Sequence, residues 1–203
     1  MTDAPPFDVR PVVLEGRHVR LEPLERRHAD DLLVASADDG VWRYLADRRP
    51  ESREDVERYI AGATSAPRGE QVPFAQVELA SGRAVGSTRY FDIHRPERAL
   101  EIGHTWIGRP WWGSLVNVEA KLLLMTHAFE TLGARRVQLK TDGRNLRSQG
   151  AMTKLGFTRE GTLRRHLLLP DGHQRDSVYF SVLDDEWAAV KASLRARLDS
   201  PPR

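Results

Sequence analysis

The most restrictive stretch of this chain runs from residue 99 to residue 141. Val118, Leu122, Met125, Phe129 and Leu132 repeat at spacings of four, three, four and three, which predicts a helix over about 118–132. Asn117 is a good N-cap, Glu119 falls in the first turn, and Gly133 suits the position just past the C-terminus. This helix lies between two strand-like runs, Ala99–Ile107 and Arg135–Thr141. A strand–helix–strand crossover calls for a sheet large enough to hold a core.

The flanks read differently. His18–Leu21 alternates like a strand and stops at Pro23; Glu25–Ala37 favours helix and stops at Asp38-Asp39-Gly40. Ser52 can cap a helix to Ala63, with Val56, Tyr59, Ile60 and Ala63 on one face, and Ala66-Pro67-Arg68-Gly69 breaks it. Val72–Leu79 and Ala84–Phe91, joined at Ser81-Gly82, form a hairpin that turns at His94–Arg98 into the run 99–107. Beyond the crossover come a short helix, Leu146–Leu155, and extended chain restarting at Gly156-Phe157. The runs Leu163–Leu169 and Asp176–Leu183 flank the turn Pro170-Asp171-Gly172. Asp184 is expected to cap a last helix to about Leu198. Hairpins early and late with a crossover between them predict one α+β (mixed α/β) domain over 13–198. A flexible Pro-rich lead-in, 1–12, and a tail, 199–203, are expected around it.

Composition narrows the function. No run approaches the ~18 apolar residues of a spanning helix, and the start MTDAPPFDVR has no apolar signal segment, so no membrane role and a cytoplasmic location are expected. There is no cysteine, hence no disulfide, thiolate nucleophile or Cys-ligated zinc. Basic and acidic residues number 31 and 29, a mixed surface without the one-sided basic stripe of a nucleic-acid binder. Only Lys121, Lys140, Lys154 and Lys191 are lysines; such Arg-heavy usage points to a GC-rich, bacterial source.

P-loop, dinucleotide and G-x-S-x-G signatures are absent, and the seven histidines show no metal-ligand spacing. One positive feature remains. The loop Gly108-Arg109-Pro110-Trp111-Trp112-Gly113-Ser114 opens directly onto the helix at 117. The first N–H groups of a helix have no internal partner and its dipole is positive there, which suits phosphate or pyrophosphate. Arg109 is close in sequence, with Arg144 and Arg147 further on.

An ordered set of segments extends this reading. It comprises Leu14-Glu15-Gly16-Arg17-His18-Val19-Arg20-Leu21, Glu101-Ile102-Gly103, Trp111-Trp112-Gly113, Asn145-Leu146-Arg147-Ser148 and Lys154-Leu155-Gly156-Phe157. Glu160–Arg165, Pro170-Asp171-Gly172 and Asp176–Tyr179 continue it. Together they resemble the Gcn5-related N-acetyltransferase (GNAT) superfamily, in its branch related to ribosomal-protein N-acetyltransferases, over about residues 12–190. The resemblance implies a splayed, mostly antiparallel mixed sheet flanked by helices. It implies acetyl-CoA as co-substrate, lying in the V between strands 99–107 and 135–141, with no metal. Backbone at Thr105, Trp106 and Ile107 would hold the pantetheine arm. Trp112, Gly113, Ser114, Leu115, Val116, Asn117 and Val118 would hold the pyrophosphate, with Asn145, Arg147 and Ser148 alongside.

The chain departs from the family pattern in places. The family's phosphate loop reads Arg/Gln-x-x-Gly-x-Gly/Ala; the corresponding residues here are Trp112, Leu115 and Asn117. Leu115 lacks the freedom of glycine at positive φ, whereas Asn117 tolerates it. Where many relatives carry a Tyr general acid, this chain has Met152, which has no proton to give. Ser148 is the candidate donor to the leaving thiolate. Glu101 and His104 are the candidate general bases; strand parity puts them on opposite faces. Trp42, Tyr44 and Trp106 are candidate walls of an acceptor pocket. The resemblance implies N-acetyl transfer to a primary amine, either a peptide N-terminus or a small-molecule amine. A catalytically weakened acyl-CoA-binding or sensing protein is the alternative. Dimerisation, common in such domains, is expected from the resemblance alone.

Overall fold

The computed structural model describes residues 6–67 and 70–200. Eight strands form one sheet in the order β1-β2-β3-β4-β5-β6-β8-β7. They are β1 (Leu14–Glu15), β2 (Val19–Pro23), β3 (Val72–Glu78), β4 (Ala84–His94), β5 (Ala99–Ile107), β6 (Arg136–Asp142), β7 (Thr158–Leu168) and β8 (Gln174–Leu183). Only β5 and β6 pair in parallel; every other pair is antiparallel. The helices are α1 (Ala29–Ala35), α2 (Asp39–Trp42), α3 (Arg53–Thr64), α4 (Leu115–Thr126), α5 (Leu146–Lys154) and α6 (Trp187–Asp199). A π-helical turn, His127–Thr131, extends α4.

The two faces carry separate apolar clusters. The larger joins Leu100, Ile102 and Ile107 of β5 to Leu124 and Met125 of α4, Met152 of α5 and Leu194 of α6. The smaller joins Leu32 of α1, Trp42 of α2 and Ile60 of α3 to Ala75 of β3 and Trp106 of β5. Ser52 caps α3 in a capping box with Asp55, which secures that helix over the second face.

Several boundaries differ from expectation. Ser114, not Asn117, caps α4, so the helix starts three residues early and the glycine-like turn falls at Gly113 (φ +80°). Its buried stripe is Val116, Ala120 and Leu124, while Val118 and Leu122 are only partly buried. The helix is apolar on more than one face, so its sequence period did not single out the stripe that meets the sheet. Asp38-Asp39-Gly40 does not merely stop a helix: the Asp38 carboxylate accepts from the Gly40 N–H and starts α2. Asp184 lies in a turn before α6, whose cap position is Glu186. Of the expected lead-in, residues 1–5 lie outside the described residues, while Phe7 and Val9 are buried in the larger cluster. Residues 201–203 of the tail, and Arg68 and Gly69 of the expected break, also lie outside them.

Candidate active site

The parallel pairing of β5 with β6 covers only Ala99–Arg136, Leu100–Val137 and Glu101–Gln138. From Ile102 to Ile107, β5 has no strand on that side among the described residues. The two strands therefore splay into a V whose β5 wall includes Thr105, Trp106 and Ile107. The loop after β5 turns straight into α4. The N–H groups of Leu115, Val116 and Asn117 open that helix; Val116 N–H reaches Ser114 Oγ at 3.4 Å, and helical geometry gives the other two no internal acceptor. Leu115 and Asn117 both have ordinary helical backbone, and Asn117 Oδ1 accepts from Lys121 Nζ at 2.9 Å. Burial lowers the Lys121 ammonium pKa to about 8.

Trp112 organises the mouth of the V. Its indole N–H donates to Ile107 O at 2.9 Å, which ties the loop to β5. The Arg109 and Arg147 guanidiniums lie 4.4 and 3.9 Å from its ring centre, and neither has a carboxylate partner among the described residues. Arg144, by contrast, is held by the buried Asp142 carboxylate. Asn145 caps α5 through the Ser148 N–H at 3.1 Å. The Ser148 hydroxyl is half-buried and has no hydrogen-bond partner among the described residues. Met152 packs in the larger cluster.

A β-bulge shapes the other side of β5. Arg89 pairs with Gly103 and Ser87 with Trp106, so His104 and Thr105 together face Thr88. His104 takes φ +47°, a conformation that costs a non-glycine residue energy and clusters at functional sites. The inserted residue reverses strand parity: Trp106 joins the α1–α3 cluster and Ile107 the opposite one. Glu101 and His104 are therefore not on opposite faces. Phe91 pairs with Glu101 across β4 and β5, and its ring meets the His104 ring edge-on at 5.1 Å.

Glu101 is almost fully buried. Its Oε2 accepts from Lys140 Nζ at 3.0 Å and Gln138 Nε2 at 3.1 Å, while Oε1 is buried without a partner. Burial raises the Glu101 pKa, an effect that Lys140 and Gln138 oppose. His104 Nδ1 lies 3.4 Å from Asp47 Oδ2, and that bond holds the Asp47 carboxyl below its usual range.

Asp47 opens onto a cleft of about 830 Å³ between the α2–α3 segment and the β7–β8 turn. Trp42, Tyr59, Arg58, Leu169 and Pro170 also line it. Trp42 and Trp106 are largely buried and pack together, ring centres 5.0 Å apart; Trp42 offers the cleft little surface and Trp106 is not among its lining residues. Tyr44 stands apart from the lining, beside Arg43 and Arg144. Sequence reasoning missed Asp47, Tyr59, Phe91 and Lys140. Lys140, one of only four lysines, carried the one usable signal.

The comparisons with known proteins decide the family. The model of the acetyltransferase (GNAT) domain matches residues 18–158. The chain belongs to the GNAT family. It is accordingly an acetyltransferase. YdaF of Bacillus subtilis (strain 168), provisionally named a ribosomal N-acetyltransferase, is 27% identical over 172 residues, covering 84% of this chain and 92% of that protein. A crystal structure from T. thermophilus, provisionally named an acetyltransferase, is 43% identical with TM-score 0.85, covering 94% of this chain and 98% of that one. Mycobacterium smegmatis RimJ in complex with CoA-disulfide shares the GNAT fold at 20% identity and TM-score 0.79, covering 92% and 94% of the two chains.

Proposed function

We propose that this GNAT protein transfers an acetyl group from acetyl-CoA to a primary amine by direct attack. The observation that carries this reading is the V between β5 and β6, which ends at the open first turn of α4 beside two cations without carboxylate partners. These groups fit the donor. The N–H groups of 115–117, with Arg109 and Arg147, suit a pyrophosphate, and the unpaired edge of β5 suits an amide-bearing arm. Acetyl-CoA supplies an activated thioester when bound. Backbone N–H groups along Thr105–Ile107 hold its carbonyl oxygen, and the free Ser148 hydroxyl donates to the departing sulfur.

The cleft beyond the bulge takes the acceptor. Its aromatic edges and mixed charges suit a peptide N-terminus, and the name of YdaF favours the same class over small amines. Leu115, Asn117 and Met152 motivate the alternative of a cofactor-sensing protein. Leu115 and Asn117 have ordinary helical backbone, which leaves Met152, packed in the larger cluster, as its one remaining support, and the partner-free Ser148 hydroxyl supplies the proton donor that Met152 cannot.

Calorimetric titration with acetyl-CoA, with desulfo-CoA and inorganic phosphate as controls, tests the donor. Micromolar binding is expected; no binding at millimolar acetyl-CoA refutes the proposal. Thiol release with short peptides and an amine panel then reads turnover. Ser148→Ala is expected to lower kcat about 10²-fold with acetyl-CoA affinity unchanged.

A further inference from the structure

The bulge and the cleft meet at one pair of side chains, and it is the more suitable place for a proton acceptor. Glu101 is closed off by Lys140 and Gln138 and almost excluded from solvent. Asp47 and His104 are about one-third exposed; Asp47 lines the cleft, and His104 reaches it through Asp47. A carboxylate can only accept, so the His104 Nδ1 facing Asp47 carries the hydrogen, and in the neutral ring the lone pair is therefore on Nε2. The strained φ of His104 and the reversed parity of β5 hold the ring on this face.

We propose that Asp47 is a positioning residue that holds His104 in the Nδ1–H tautomer, so that His104 Nε2 takes the proton from the acceptor's ammonium group. This rests on the acetyl-transfer reading. The ammonium gives one proton to Nε2, and the freed nitrogen lone pair forms the bond to the carbonyl carbon. The carbon–sulfur bond breaks with its electron pair going to sulfur. Sulfur takes the second proton that nitrogen sheds, through the Ser148 hydroxyl, and His104 returns its proton to water.

Other charged and titratable groups surround the pair. Arg89 on β4, which holds the Tyr59 hydroxyl of α3 at 3.3 Å, also acts on Asp47. Lys140 on β6 lies 4.9 Å from the ring centre of Phe91, on which His104 packs, and is paired with Glu101 on β5. Arg48 and Arg49 follow Asp47 in sequence and line the same cleft.

The test uses the full chain with Asp47→Ala, Asp47→Glu and His104→Gln. Asp47 lies on a loop, and unchanged acetyl-CoA affinity will show that each variant is folded. Asp47→Ala is expected to lower kcat about 10–100-fold and to displace the ascending limb of the kcat/KM profile. Asp47→Glu should recover part of the rate, and His104→Gln should abolish the limb. Long-range ¹H–¹⁵N spectra, with His104 assigned by its loss in His104→Gln, should show the Nδ1–H tautomer in the unsubstituted chain and lose it in Asp47→Ala. Turnover with a limb and tautomer indifferent to Asp47 leaves acetyl transfer standing and refutes this pair alone. Bound acetyl-CoA with no amine acetylated refutes acetyl transfer, and the catalytic role falls with it.

Discussion

Gly16 and Glu119 are 103 positions apart, yet the structure makes each a condition for the other. Gly16 and Val19 close the turn between β1 and β2, with the Gly16 N–H donating to Val19 O at 2.9 Å. The carboxylate of Glu119, buried on α4, plugs that turn. It accepts the N–H groups of Arg17 at 2.9 Å, His18 at 2.6 Å and Val19 at 2.9 Å. A Cβ on Gly16 would lie 2.5 and 2.8 Å from the two carboxylate oxygens. The Gly16 backbone is not left-handed, so alanine acts there through space alone.

The magnitudes follow. Hydrogen bonds to an ionised acceptor contribute about 1.5–3 kcal/mol each, but Arg17 and His18 are solvent-accessible and water can replace the carboxylate there. Val19 is fully buried, so its N–H loses its acceptor outright, at a cost of about 1–3 kcal/mol. With the lost stem packing, Glu119→Ala should cost about 3–5 kcal/mol. Gly16→Ala should cost about 2–4 kcal/mol, because the carboxylate can withdraw only by releasing those donors. In a chain already carrying Glu119→Ala, Gly16→Ala should cost under about 1 kcal/mol. Urea unfolding of the four chains at matched m-values gives the coupling directly, expected at about 2–3 kcal/mol. Additivity within about 0.5 kcal/mol would refute the plug.

Two further outcomes are expected. Arg147→Gln should raise the acetyl-CoA Kd about 10-fold and flatten its salt dependence without changing Tm; titrations at two ionic strengths read both. Lys121 titrates near 8 when folded and near 10.5 when unfolded, so the unfolded chain holds more protons between those values and stability rises with pH there. Relative to Lys121→Met, the gain should be about 1–3 kcal/mol between pH 8 and 10.5 by denaturant unfolding, and a flat difference would contradict it.

What the sequence disclosed follows from how local each signal is. Strand alternation, the Ser52 cap and the Pro170-Asp171-Gly172 turn are written within a few residues, and β3, β5, α3 and the β7–β8 hairpin lie where those signals place them. At the start of α4, Ser114 and Asn117 are both able to cap, and periodicity could not choose because Leu115 and Val116 are apolar as well. The loop's departure from glycine looked costly because the helix was placed too late. Once Ser114 is the cap, the one positive φ falls on Gly113. Asp47 carried no signal, since it sits among charged neighbours in a turn and acquires its partner only across 57 residues.

The bulge at His104–Thr105 is a different kind of omission. Neither residue is a glycine, and a run that alternates on both sides of an inserted residue reads as one uninterrupted strand. Yet this single residue decides which side of β5 serves which purpose. It turns Trp106 toward Trp42 and Tyr59, beneath the cleft, and leaves Ile107 for the core under α4. It also gives His104 the same face as Glu101, where simple alternation would have buried it against the larger cluster. Beyond Glu101 the strand has already parted from β6, so the bulge and the splay fall on the same short stretch of backbone. On the proposed reading, donor and acceptor meet there because the sheet edge is open on one side of β5 where the bulge re-aims a histidine on the other.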